Sequence, residues 1–76
     1  MNIHIFDNYE ASDDLIYKGE SLKEARKAIR ERISETCGEC DLNPVITGGS
    51  VPERNELGLR LYRYIEDQLD KLFAEC

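Results

Sequence analysis

Much of what catalysis and export require is scarce in this chain of 76 residues. There is one histidine, His4, near the start of a short apolar run, so a hydrolytic triad has no other base to draw on. Three cysteines are an odd number, which argues against a disulfide framework. No apolar run approaches the ~20 residues that a membrane-spanning helix needs. The opening "MNIHIFDNYE" also lacks the basic, apolar, small-residue pattern of a secretory leader. A cytoplasmic protein with reduced thiols is therefore the expectation.

Length excludes more. A chain of 76 residues makes one domain, 1–76, with no room for a second. Folding at this size buries only about 60% of the unfolded surface, and such a core seldom supplies more than roughly 3–5 kcal/mol of net stability. It rarely encloses a ligand cavity of ~300 Å³, so the chain is not expected to be an enzyme.

What is present is a soluble, globular composition, 41% hydrophobic and 34% charged. Net charge is −6, from 16 acids against 10 bases, which disfavours general affinity for nucleic acid. The charge is unevenly placed. Residues 1–20 carry five acids against Lys18 alone, whereas residues 21–36 carry five bases against three acids.

The run "NIHIF" (2–6) alternates, with Ile3 and Ile5 on one face and His4 and Phe6 on the other. Together with "LIY" (15–17) it predicts an antiparallel hairpin joined by the turn-rich "DNYEASDD". Both faces carry apolar bulk, so the sheet should not be wetted cleanly on one side. "SLKE" (21–24) is a capping box, in which Ser21 and Glu24 each satisfy the other's amide. It opens a helix over about 22–37 with Leu22, Ala25, Ile29 and Ile33 as its apolar stripe, closed by a left-handed Gly38.

"VIT" (45–47) could add a brief third strand after the helix breaker Pro44. "SVPE" (50–53) then starts a second helix over about 52–75. These elements form a small single α+β domain, a β-hairpin with room for a third strand packed against two helices, in the order ββαα or ββαβα. On the second helix Leu57, Leu61, Tyr64, Ile65, Leu72 and Cys76 share one side. Tyr62, Leu69 and Phe73 widen the apolar arc to about half the circumference. A single small sheet needs less, so these three suggest a dimer seam or a second binding surface.

Four constellations could carry chemistry or binding. "CGEC" puts Cys37 and Cys40 at a helix's negative end beside Glu35, Glu39 and Asp41, which disfavours a reactive thiolate. Zinc would need Cys37, Cys40, Cys76 and His4, every soft donor in the chain, with no second cysteine pair. "TGGSVPE" (47–53) has the outline of an anion-holding turn, but lacks the lysine of a phosphate loop. Lys23, Arg26, Lys27 and Arg30 line one face of the first helix as an alternative nucleic-acid strip, balanced by pairs such as Lys27 with Glu31. Last, Asp7, Glu10, Asp13 and Asp14, with Tyr9 among them, form an acidic loop without the ligand order of a calcium site.

The functional expectation is a small acidic protein-binding module without catalytic activity, cofactor or membrane contact. It would meet a basic surface through Asp7, Tyr9, Glu10, Asp13 and Asp14, with Tyr62, Leu69 and Phe73 as a second surface for a dimer partner or a target. Complementary charge of that kind speeds and directs association. Inhibitors encoded by phages and mobile elements, of the anti-CRISPR and anti-restriction kind, share this profile of size and charge. A zinc-stabilised domain and a nucleic-acid binder are the alternatives.

Overall fold

The computed structural model describes residues 1–75, the last for its backbone alone. The elements are β1 (Asn2–Asp7), a 3₁₀ turn (Tyr9–Ala11), β2 (Asp14–Gly19), α1 (Leu22–Thr36), β3 (Leu42–Thr47) and α2 (Val51–Glu75). The order is ββαβα in an α+β domain, with a wholly antiparallel sheet ordered β2-β1-β3.

β1 alternates as its sequence requires, with Ile3, Ile5 and Asp7 buried and the residues between them more exposed. Opposite Ile3 and Ile5 lie Gly19 and Tyr17 on β2, and Ile46 and Pro44 on β3. The β2 register slips between Ile5 and Phe6, leaving Ile16 as an extra residue. Such a bulge turns two neighbouring side chains the same way, and Ile16 and Tyr17 both pack on the core.

Both helices cover this one face. Ala25, Ile29 and Ile33 of α1 and Leu61 and Ile65 of α2 join Ile3, Ile5 and Leu42 in a single core. The opposite face keeps no helix. His4 and Phe6 stack there at 6.4 Å, and Leu15 and Val45 beside them stay exposed.

β3 starts earlier than its β-branched residues suggested. Pro44 sits inside it, paired with Ile5. The Asn8 amide donates to the Asp41 carbonyl at 2.9 Å, continuing the β1–β3 ladder. By alternation, Pro44 then falls where the backbone faces away from β1. An edge strand tolerates a missing amide there.

The cap of α1 is half of the expected box. Ser21 Oγ accepts from the Glu24 amide at 3.2 Å, but the Ser21 amide goes to the Tyr17 hydroxyl at 3.2 Å instead of to Glu24. That hydroxyl donates in turn to the Ser21 carbonyl at 3.1 Å. Tyr17 reaches it by lying over Gly19, where a Cβ would stand 2.5 Å from its oxygen. α2 carries the full reciprocal pair, with Ser50 and Glu53 each accepting the other's amide at 3.4 Å. Among the described residues no helix is long and apolar enough to cross a membrane.

Candidate functional site

The acidic loop is where the structure most changes the sequence reading. Asp7 is not part of its surface. The side chain is only 2% exposed and turns inward at the end of β1. Its Oδ1 accepts from the Tyr9 amide at 3.1 Å and the Asp41 amide at 3.0 Å. Its Oδ2 takes Arg32 Nε at 2.8 Å. One carboxylate thus ties together β1, the loop after it, the last turn of α1 and the chain leading into β3. Burial alone would raise the Asp7 pKa. Hydrogen bonds from the Asp41 amide, Arg32 and the Tyr9 amide outweigh that and hold it below its ordinary value. Asp7 is therefore withdrawn as a partner contact.

Arg32, the fifth base of the first helix, lies outside the basic strip of Lys23, Arg26, Lys27 and Arg30. No local spacing connects it with a carboxylate 25 residues away, so only the fold reveals the pair. Its second hand reaches Asp14 Oδ2 at 3.4 Å.

The remaining loop acids stay at the surface, and the structure adds others to them. Glu10, Asp13 and Asp14 are exposed, as are Glu35 at the end of α1 and Glu39 and Asp41 in the connector. The two segments interlock. Besides the Asn8–Asp41 backbone bond, Asn43 Nδ2 donates to Asn8 Oδ1 at 2.8 Å. Asn8 Nδ2 also donates to Asp13 Oδ1 at 3.0 Å, and Ser12 Oγ to the Tyr9 carbonyl at 2.7 Å. These bonds hold the loop with positive φ at Glu10 (57°) and Ala11 (62°), a conformation that costs a residue with a Cβ. Six carboxylates therefore stand on a tied framework at one end of the molecule. Arg32 is the base that reaches into them. Tyr9, 40% exposed, lies in the same surface.

The basic strip is exposed at all four positions, but two of its bases are engaged. Arg30 donates to the Tyr64 hydroxyl at 2.9 Å, and the Arg26 guanidinium lies 5.4 Å from the centre of the same ring. Lys23 and Lys27 remain, and the expected Lys27–Glu31 ion pair is not among those formed by the described residues.

The cysteine pair is split by its surroundings. Cys37 is exposed and is itself the left-handed cap of α1 (φ 54°, ψ 38°), a position the sequence assigned to Gly38. Gly38 follows with φ 83° and donates its amide to the Ile33 carbonyl at 3.1 Å, as in a Schellman closure. Cys40 is half-buried against the core. Burial pushes its thiol pKa up, opposed in part by a hydrogen bond with Thr36. His4 lies on the helix-free face of the sheet, so it cannot join Cys40 on the covered side. Cys76 lies outside the described residues. Among those residues no group of three His, Cys, Asp or Glu side chains is placed to hold a metal ion.

A left-handed conformation costs a residue with a Cβ about 1–2 kcal/mol. Cys37→Gly should therefore raise stability by about 0.5–1 kcal/mol in urea unfolding, once the unfolded-state entropy of glycine is deducted. A metal ligand would show the opposite sign.

On α2, Tyr62 and Phe73 are 49% and 63% exposed, and Leu59, which the sequence reading missed, is 49% exposed. Leu69 is half-buried and packs against the core, so it serves both surfaces. A shallow groove beside Leu59 and Tyr62 runs along β3, lined also by Pro44, Ile46, Arg54 and Gly58.

No protein-family model, curated protein or solved structure matches the chain.

Proposed function

We propose that the chain is a small protein-binding module without catalytic activity, which covers a basic, nucleic-acid-binding surface of another protein with its acidic pole. The observation that carries this reading is the framework of six exposed carboxylates on two interlocked segments. Charges held in place lose little conformational freedom on binding. A set of them with one sign steers a basic partner and rejects acidic ones. Carboxylates also carry the charge of the phosphates that such a partner normally meets. The biological role that best fits is inhibition of a host or defence nuclease, in the manner of anti-CRISPR and anti-restriction proteins from phages and mobile elements.

The test uses immobilised wild-type chain and a Glu10→Lys/Glu39→Lys/Asp41→Lys variant, three exposed acids whose side chains hold no bond among the described residues. Both are challenged at low salt with the heparin-retained fraction of a bacterial lysate. The wild type should capture at least one protein that added duplex DNA releases. The variant should bind it on the order of 100-fold more weakly while keeping its melting temperature. Equal capture by both proteins, or capture that DNA does not reverse, contradicts the reading.

A further inference from the structure

The long helix α2 carries a second face, with Leu59, Tyr62, Leu69 and Phe73, of which the core uses only Leu69. At about 1.5 Å per residue its 25 residues extend ~37 Å, close to the 39 Å longest dimension of the molecule. Along one flank stand Leu59, Tyr62, Glu66, Leu69 and Phe73, at alternating spacings of three and four. That is the spacing of a coiled-coil seam, separate from the stripe centred on Leu61 and Ile65. Its most exposed member, Phe73, leans its ring against Gly38 and leaves the rest of the side chain open.

Charge chooses the occupant. From Val51 to Arg63, α2 has three bases against two acids; from Tyr64 to Glu75, it has four acids against one base. A second α2 lying antiparallel sets the basic half of each copy against the acidic half of the other. The acidic pole sits at the end where α2 finishes, since Phe73 packs on Gly38 of the connector. Antiparallel pairing therefore places the two poles at opposite ends, whereas parallel pairing would bring them together. Among the described residues neither Arg63 nor Glu66 joins an ion pair within the chain. Strand-to-strand pairing through β3 is the weaker geometry, because Pro44 presents no amide at that edge.

We propose that this flank is the seam of an antiparallel two-fold homodimer. Leu59 packs on Leu69 of the partner subunit, and Tyr62 faces Glu66 of the partner subunit. The exposed side of Phe73 of the partner subunit, its ring still resting on its own Gly38, covers the groove between Pro44 and Gly58. Each Arg63 then reaches Glu66 of the partner subunit. Gly58 gives room for this, since a Cβ there would meet only Ile46 at 3.9 Å.

Sedimentation equilibrium over a concentration series tests the proposal. The wild type should approach twice the 8.8 kDa chain mass. Phe73→Glu and, separately, Leu59→Glu should each weaken the dimer by at least ~100-fold, and Arg63→Glu by ~10-fold. The Arg63→Glu/Glu66→Arg double variant should return to within about threefold of wild type, because the swapped charges still meet. All four changes are at exposed positions, and circular dichroism checks that each variant stays folded. A wild type that remains monomeric overturns the proposal and leaves the flank to a different protein. So does a dimer indifferent to both apolar changes, or a double variant no better than Arg63→Glu. The seam excludes the acidic pole, so capture of a DNA-competed partner by the monomeric variants reports on the other reading independently.

Discussion

Asp7→Ala should cost about 2–4 kcal/mol, most of the roughly 3–5 kcal/mol that a core of this size supplies. The variant is then partly unfolded at 25 °C in far-UV circular dichroism. Three losses combine. The Tyr9 and Asp41 amides lose their shared acceptor, and Arg32 loses its buried partner. Arg32 is 29% exposed and retains Asp14, so the penalty for its unpaired charge is moderated. Asp7→Asn should recover part of the loss. Its carbonyl can accept both amides, but its NH₂ then faces the Arg32 donor. A loss below about 1 kcal/mol for the alanine variant would reduce the tie to an ordinary surface ion pair.

The same tie sets a pH dependence. The folded Asp7 pKa is lowered from 3.8, so its contribution is fully present above that value. It is lost as pH falls through the lower, folded pKa. Mild acidity should leave the fold intact, and acid unfolding should begin below pH 3.8. Arg32→Met should weaken that dependence, leaving the Asp41 and Tyr9 amides to oppose the effect of burial.

Gly38→Val should cost about 2–4 kcal/mol in urea unfolding, a larger effect than any change to the cysteines beside it. Gly38 has φ 83°, and an added Cβ would lie 3.1 Å from Leu72 Cδ2 and 3.4 Å from the Phe73 ring. Valine adds two more carbons in a backbone region that β-branched residues avoid. The atoms in its way are the ends of two α2 side chains, so relief comes from rotating Leu72 and Phe73 out of their packing, from moving that helix or from reopening the end of α1. A loss below about 1 kcal/mol would show that this junction between α1 and α2 yields easily. In "CGEC" the glycine carries the structural demand.

The parts of the fold legible in the sequence are those dictated locally. Alternation in "NIHIF", the Ser21 and Ser50 caps and the Ala25–Ile29–Ile33 stripe each express a contact within a few residues. Two elements departed for identifiable reasons. Pro44 read as a break before the third strand, but an edge strand has backbone positions that need no amide. Tyr17 displaced Glu24 from the Ser21 cap because Gly19 lets the ring fold back over the chain. Among the candidate binding residues, Glu10, Asp13, Asp14, Tyr62 and Phe73 stand at the surface as composition suggested. Asp7 does not, because its partner Arg32 is brought to it only when α1 crosses the sheet. Glu35, Glu39 and Asp41 join the acidic pole for the same reason, through contacts that no spacing in the chain announces.

The account turns on Asp7 being an internal tie that fixes the acidic pole and not a member of its surface. Carbon-13 NMR titration of the Asp7 side-chain carboxyl measures this directly. Its midpoint should fall below 3.8, with the Tyr9 and Asp41 amide resonances shifting at the same midpoint. A midpoint at 3.8 with amides that do not follow it would return Asp7 to the exposed loop, and a midpoint above 3.8 would leave it buried without its donors; either contradicts the tie.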